Sequence, residues 1–309
     1  MEKSSKVYVG MDVHKESIEV TLAEPGGELR RLGQIGGNRG SLLKMARKLQ
    51  SKGGERMFVY EAGPCGFWIH RDLVRGRDDA VIAQRRVRQQ LKALLLRNDI
   101  RYVGKTSWSG AHRRWLAELK LPEPAQQIVF EEHVDAIAVA TSRIERLTRA
   151  IETEVLAWRF APVVGSLQAM RGVQFVHAVT LIAELGDLTR FGSARQLMGY
   201  LGLVPREASS GEQRRQGSIT KAGNGYARRA LIEAAWAYRH PARVTRIIAT
   251  RQTGLPKAAC DIAWRAQLRL SAKYRRLNAR HLNHNRIVVA LARELSGFVW
   301  AIGQCVKPQ

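Results

Sequence analysis

Ser209 and Ser210 stand beside Gly211 in a run of cations that includes Arg206, Arg214, Arg215, Lys221, Arg228 and Arg229. A hydroxyl that attacks a phosphodiester needs such company. One serine forms the new ester while the cations hold the phosphate and neutralise the charge that develops on it. A glycine- and serine-bearing loop with a solvated basic face has the same composition, so this stretch alone leaves both readings open.

Two carboxylates fit the same chemistry. Asp12 lies within the apolar run from Val7 to Val13, and Glu61 directly follows Met57-Phe58-Val59-Tyr60. Strand ends are rigid, which suits carboxylates that must converge on two divalent metals in an in-line displacement. A lone strand aspartate can equally cap a turn. Joined to Glu61 and to the serine pair downstream, Asp12 fits the layout of an RNase H-like nuclease.

The elements that would position these residues are legible in outline. Val7 to Val13, Ile18 to Leu22 and Leu29 to Ile35 read as a three-stranded meander with a turn at Gly26-Gly27. A helix is expected from Arg39 to Gln50, with Leu42, Leu43, Ala46 and Leu49 on one face, and then the strand that ends at Glu61. Asp72 to Arg97 reads as an arginine-rich helix, followed by a short helix around His112 to Leu119. A long helix from Pro124 to about Trp158 carries Val134, Ile137, Ala138, Ile144, Leu147 and Ile151 near heptad spacing, as in a coiled-coil or helical-hairpin arm.

From Ala161 onward the pattern reads as all-helical. Leu167 to Val179 suggests a helix-hairpin-helix turn centred on Gly172, whose following amides could bind a phosphate; a plain tight turn, with His177 in the core, fits as well. Further helices are expected at about Ser193 to Tyr200, Tyr226 to Tyr238, Lys257 to Asn278 and Asn285 to Ile302. The resulting fold class is α+β, with an N-terminal sheet domain over residues 1–70, an arm over 71–160 and a basic helical domain over 161–309.

Charge narrows the partner. The chain carries 51 Lys+Arg against 27 Asp+Glu, a net charge of +24 that a compact protein sustains best against a polyanion. From Arg190 onward there are 22 basic and 5 acidic residues, so the C-terminal part is the main footprint for nucleic acid. Hydrophobic content of 45% argues against disorder. Cys65, Cys260 and Cys305 are too scattered for a disulfide framework or a zinc site. No apolar run reads as long enough to span a bilayer and no signal-peptide pattern follows Met1, so the expectation is a soluble cytoplasmic protein.

Met11-Asp12-Val13-His14-Lys15, Tyr60-Glu61-Ala62-Gly63, Glu184-Leu185-Gly186-Asp187-Leu188-Thr189-Arg190-Phe191, and Gly202-Leu203-Val204-Pro205 through Ser210-Gly211 to Asn224 together carry a resemblance. Over nearly its whole length the chain resembles the DEDD-type transposases of the one-hundred-and-ten family of bacterial insertion sequences, the recombinases guided by a bridge RNA. The resemblance implies an RNase H-like N-terminal domain related to Holliday-junction resolvases. It also implies magnesium held by Asp12 and Glu61, and Ser210 as the nucleophile that joins covalently to a DNA end. The implied partners are double-stranded DNA at the element ends and target, a structured guide RNA and further copies of the chain, as a dimer or tetramer. No membrane partner is expected.

One departure stands out. The family's further strand and its Asp-x-x-Asp pair, which complete the acidic tetrad, have no counterpart here, because His70-Arg71 leads straight into Asp72 and the arm. An internal deletion between Arg71 and Asp72 is the reading this supports, with Asp72, Asp78 and Asp79 as the only nearby substitutes. Two other functions fit the same residues: a non-catalytic relic or regulator that binds nucleic acid, and a site-specific DNA invertase.

Overall fold

The computed structural model describes residues 7–13, 17–23, 29–51, 56–60, 68–207 and 216–308. In β1 (Val7–Val13) Val9 and Met11 are buried while Tyr8 and Asp12 are exposed, and β2 (Ser17–Ala23) buries Ile18, Val20 and Leu22 with the same period of two. β3 (Leu29–Gly36) pairs antiparallel with β2, and β4 (Arg56–Tyr60) lies parallel to β1, giving the order β3-β2-β1-β4. A parallel neighbour requires a crossover. It is supplied by α1 (Arg39–Gln50), which is started by the Asn38 side chain accepting from the Ser41 amide at 2.9 Å.

Leu42, Met45 and Leu49 of α1 pack over Val9, Met11, Ile18, Val20 and Leu22. Leu43, expected on this face, is 43% exposed, because the inward stripe runs i, i+3, i+7 from Leu42 and takes Met45 instead. The expected turn at Gly26-Gly27 lies outside the described residues.

Two compact units divide the chain, one formed by residues 72–158 and the other by 1–71 together with 159–309. In the first, α2 (Trp68–Arg97, which begins just before this unit) and α4 (Pro124–Leu156) run antiparallel. Arg77 Nε donates to Thr148 Oγ1 at 2.8 Å, and Gln84 Nε2 donates to Thr141 Oγ1 at 2.7 Å. Seven residues forward on one helix thus match seven back on the other, the seam of a helical hairpin. α3 (Gly110–Glu118) closes the far end, where Leu91, Leu94, Leu95, Leu116, Leu121 and Phe130 form the core.

The C-terminal body is built on α11 (His284–Cys305), against which α5 (Ala161–Leu167), α7 (Ala194–Tyr200), α8 (Gly225–Ala235) and α10 (Lys257–Asn278) pack. Ile287, Val288, Leu291, Ala292, Leu295, Val299 and Ile302 are each at most 1% exposed. By length and mean hydropathy α11 does pass as a membrane-crossing segment, contrary to the expectation that no such run exists. Its apolar side chains are taken up by the protein core, which selects for the same composition. α6 (Phe175–Leu185), α9 (Arg246–Gln252) and two short 3-10 segments, Leu188–Arg190 and Trp236–Arg239, complete this body. Cys260 and Cys305 are free thiols, both raised above their ordinary pKa chiefly by burial.

The expectation of an all-helical C-terminal part is corrected by a two-stranded ribbon. β5 (Pro205–Glu207) and β6 (Gln216–Ile219) pair antiparallel, Pro205 opposite Ile219 and Glu207 opposite Gln216. Strands of three and four residues are too short for any period to register in the sequence, and their proline and glycine read as loop.

Candidate nucleic-acid interface

The ribbon places the ends of the serine segment. Ser209, Ser210, Gly211, Arg214 and Arg215 lie outside the described residues, but the strands that flank them are paired up to Glu207 and Gln216. The pairing continues toward the base through the Thr220 amide to the Val204 carbonyl at 2.9 Å and the Lys221 amide to the Gly202 carbonyl at 3.1 Å.

Below it, two turns interlock. Gly202 has φ +61° and Gly223 has φ +69°. A Cβ on Gly202 would collide with the backbone of Ala222, and one on Gly223 with the carbonyl oxygen of Tyr200. Each glycine therefore serves both as a left-handed turn and as a point of backbone contact. Arg228 fastens the knot, its Nη1 donating to the carbonyls of Leu201 at 2.9 Å and Ala222 at 2.8 Å. Gly223→Ala is expected to destabilise the chain by about 1–3 kcal/mol from backbone conformation alone, with more from the collision. Urea unfolding, together with faster proteolysis within residues 202–223, would register the loss.

A buried carboxylate supports this base from behind. Glu184 on α6 has a side chain with 0% exposure. Asn224 Nδ2 donates to its Oε2 at 2.6 Å, while Arg71 Nε stands 3.6 Å from the same oxygen and donates to the Ala183 carbonyl at 3.3 Å. Asn224 also caps α8, its Oδ1 accepting from the Ala227 amide at 3.0 Å. One side chain thus couples the start of α8, the turn at Gly223 and the buried helix α6.

Beside the ribbon lies a cleft of about 400 Å³, walled by Leu203 and Pro205 on one side and by α10 and α11 on the other. Lys273, Arg286 and Arg293 line it, and none of its lining residues is acidic. Lys273 Nζ is 2.6 Å from Glu294 Oε1 and Arg269 Nε is 2.8 Å from Oε2. Burial pulls the Glu294 carboxyl upward, but these two hydrogen bonds outweigh it and hold its pKa below the ordinary value. Sequence reasoning does not find the three cations of the cleft. Arg286 and Arg293 lie seven residues apart on α11, a same-face spacing, but their approach to the ribbon is a tertiary fact.

The other expected interface residues divide by role. Arg206 is exposed with Nη2 donating to the Thr220 carbonyl at 3.4 Å, and Lys221 is exposed at φ +57°. Arg229 pairs with Glu233 at 3.8 Å and lies 5.4 Å from the Tyr226 ring centroid. Arg228 is committed to the knot. Gly172 sits at φ +82° in the turn between α5 and α6, where a Cβ would collide with the Ala234 carbonyl, so its visible role is packing. His177 Nε2 lies 3.5 Å from Glu233 Oε2.

Asp12 is exposed on β1, and the register pairs Met11 with Tyr60, the residues directly before Asp12 and Glu61. Glu61 itself lies outside the described residues. Opposite Asp12 is Glu19, which is ion-paired with Arg31. Asp72 and Asp79 are exposed on α2, and Asp78 is half-buried there. Among the described residues no group of three or more His, Cys, Asp and Glu could hold a metal ion, so these residues by themselves do not make a two-metal centre.

Comparison with known proteins bears on this region directly. The family model described as "Transposase IS116/IS110/IS902 family" matches residues 165–247, which contain α6, α7, the ribbon and α8. "Putative transposase y4qE" of Sinorhizobium fredii is 34% identical over 359 residues, covering 97% of this chain and 89% of that protein. "Transposase for insertion sequence element IS1533" of Leptospira borgpetersenii is 25% identical over 334 residues, covering 88% and 96%. "Insertion element IS110 uncharacterized 43.6 kDa protein" of Streptomyces coelicolor is 29% identical over 160 residues, covering 44% and 40%.

Proposed function

Since the chain belongs to the IS116/IS110/IS902 family of transposases, we propose that it binds the double-stranded DNA of element ends and target, with a structured guide RNA, and joins DNA through Ser210. The observation that carries this reading is the ribbon, which brackets Ser209 and Ser210 on an interlocked base and stands beside a cleft lined by three cations. Ser210 Oγ attacks phosphorus, the bond to the leaving oxygen breaks, and the serine's proton ends on that oxygen. A phosphoserine ester conserves the bond until a strand hydroxyl attacks it and restores the diester. Arg286 and Arg293 would neutralise the phosphate that enters from the cleft, Lys273 being paired with Glu294.

The carboxylates complete the reading. The order β3-β2-β1-β4, with a helical crossover into β4, supports an RNase H-like sheet that carries Asp12 and would carry Glu61 at its edge. These two are what the chain retains for magnesium, and two carboxylates offset less of the charge of two divalent ions than four. The alignment with the Sinorhizobium protein spans 359 positions against 309 residues in this chain, which supports an internal deletion, and the direct passage from His70-Arg71 into the arm is the reason to put it between Arg71 and Asp72. α2 passes through Arg71 and Asp72 without interruption, so no strand or turn stands at that junction. Among the described residues no group of three or more His, Cys, Asp and Glu could hold a metal ion, which favours, as a second reading, a subunit that binds element DNA and RNA without cutting.

Binding is tested by salt. With 22 basic against 5 acidic residues after Thr189, affinity for duplex DNA and for structured RNA is expected to fall by orders of magnitude between about 50 and 200 mM salt as phosphate counterions are released. Anisotropy titrations that stay flat over that range would rule out this electrostatic footprint.

A further inference from the structure

The tip of the helical hairpin holds an aromatic site that strand joining does not use. Past α2 the chain brings Tyr102, Trp108, His112 and Trp115 together. The ring centroids of Tyr102 and His112 are 4.6 Å apart at 88°, those of Trp108 and His112 are 5.0 Å apart at 65°, and those of Tyr102 and Trp115 are 5.2 Å apart. A cluster that served only as core would fill its own space. Instead these rings line a cavity of about 280 Å³ together with Lys92 and Arg101, and no lining residue is acidic.

Three details show a built site. Trp108 has φ +66°, a left-handed conformation that a bulky residue adopts only when its surroundings impose it, and such conformations gather at binding sites. Tyr102 lies over Gly104 so closely that a Cβ there would strike the phenol ring. His112 is 6% exposed, and its Nδ1 has no hydrogen-bond partner among the described residues. Burial lowers the pKa of its imidazole and so favours the neutral ring among its aromatic neighbours. The Arg88 guanidinium carbon is 4.6 Å from the Trp108 centroid. Arg101 is held loosely, 3.8 Å from Asp99 in an exposed pair.

We propose that this cavity takes an unpaired nucleobase of a single-stranded nucleic acid, stacked against Trp108 and Tyr102, with Lys92 and Arg101 meeting the flanking phosphates. Its size stands near the lower bound of about 300 Å³ for small-molecule sites, which suits one ring system. Flat aromatic walls with cations at the mouth form the sequence-tolerant platform that single strands use. The inference rests on the reading of the chain as a nucleic-acid protein, and it adds a second contact, of stacking type, in the unit formed by residues 72–158.

The test uses the full chain and four probes: oligothymidylate, oligouridylate, an abasic strand of equal length, and a duplex. The base-bearing strands are expected to bind roughly 5- to 150-fold more tightly than the abasic strand, the range that stacking of one base spans. Trp108→Ala and Tyr102→Ala should each remove most of that preference, Trp108→Phe should keep it, and duplex affinity should not change. A preference for thymidylate or for uridylate identifies the natural strand, and either supports the site. Equal binding of abasic and base-bearing strands by the unaltered protein overturns it without depending on any variant. So does a preference that survives both alanine changes. Either result, with duplex binding intact, leaves the transposase reading standing; loss of salt-sensitive duplex binding would strike that reading instead.

Discussion

Ser210→Ala is expected to abolish strand transfer, lowering it by several orders of magnitude, whereas Ser209→Ala retains it. Removing a covalent nucleophile eliminates the ester on which the reaction proceeds, and neighbouring groups do not replace it. Ser210 is preferred because it directly precedes Gly211, where the missing side chain lets a DNA backbone approach. The assay pairs matched element ends with the protein as it stands and with a version in which the segment proposed to be missing between Arg71 and Asp72 is supplied from a longer relative. Restoration should raise activity, and Ser210→Ala should extinguish it in that background. Robust transfer by the Ser210→Ala protein would falsify the assignment. Full activity without restoration would show that Asp72, Asp78 or Asp79 completes the carboxylate set.

The largest expected loss of stability is at Glu184. Truncation to alanine removes the acceptor for Asn224 and leaves the Arg71 guanidinium, 22% exposed, beside an apolar gap. Breaking one side of a buried ion pair costs about 3–5 kcal/mol, because the remaining charge cannot regain its hydration. Glu184→Gln keeps an acceptor for the 2.6 Å bond from Asn224 and loses only the charge, so it should cost distinctly less. Urea midpoints for the two variants measure the difference. Similar losses for alanine and glutamine would show that the carboxylate charge, and not the hydrogen bond to Asn224, holds this base together.

Much of the frame is legible in the order of the amino acids alone. Asp12 falls on β1 as the alternation around it implies, and the meander, α1 and β4 follow the apolar periods closely. The long helix from Pro124 declares itself through Pro124 at its first turn and its apolar spacing. What stays hidden is short or tertiary. α9 has seven residues and is started by Thr245 accepting from the Ile248 amide, too brief for a period to emerge. β5 and β6 are concealed for the same reason. Arg228 reads as a phosphate ligand because charge is visible in sequence and a carbonyl partner is not. Glu184 stands within a motif that carries the family resemblance, yet nothing in its neighbours marks it as the acceptor for a residue forty positions away.

The interlocked turns at Gly202 and Gly223 have a consequence for how this lineage changes. The base of the hairpin is closed by backbone contacts below Glu207 and Gln216, so the ends of the eight-residue span between those strands are already held together. Closing a longer loop on ends already held together adds only about 0.6 kcal/mol per doubling of length. Insertions and deletions around Ser210 are therefore nearly free of thermodynamic penalty, whereas a single methyl group at Gly202 or Gly223 is not. The span that carries Ser210 can change in length at little cost, while a side chain at either glycine below it would collide with the backbone.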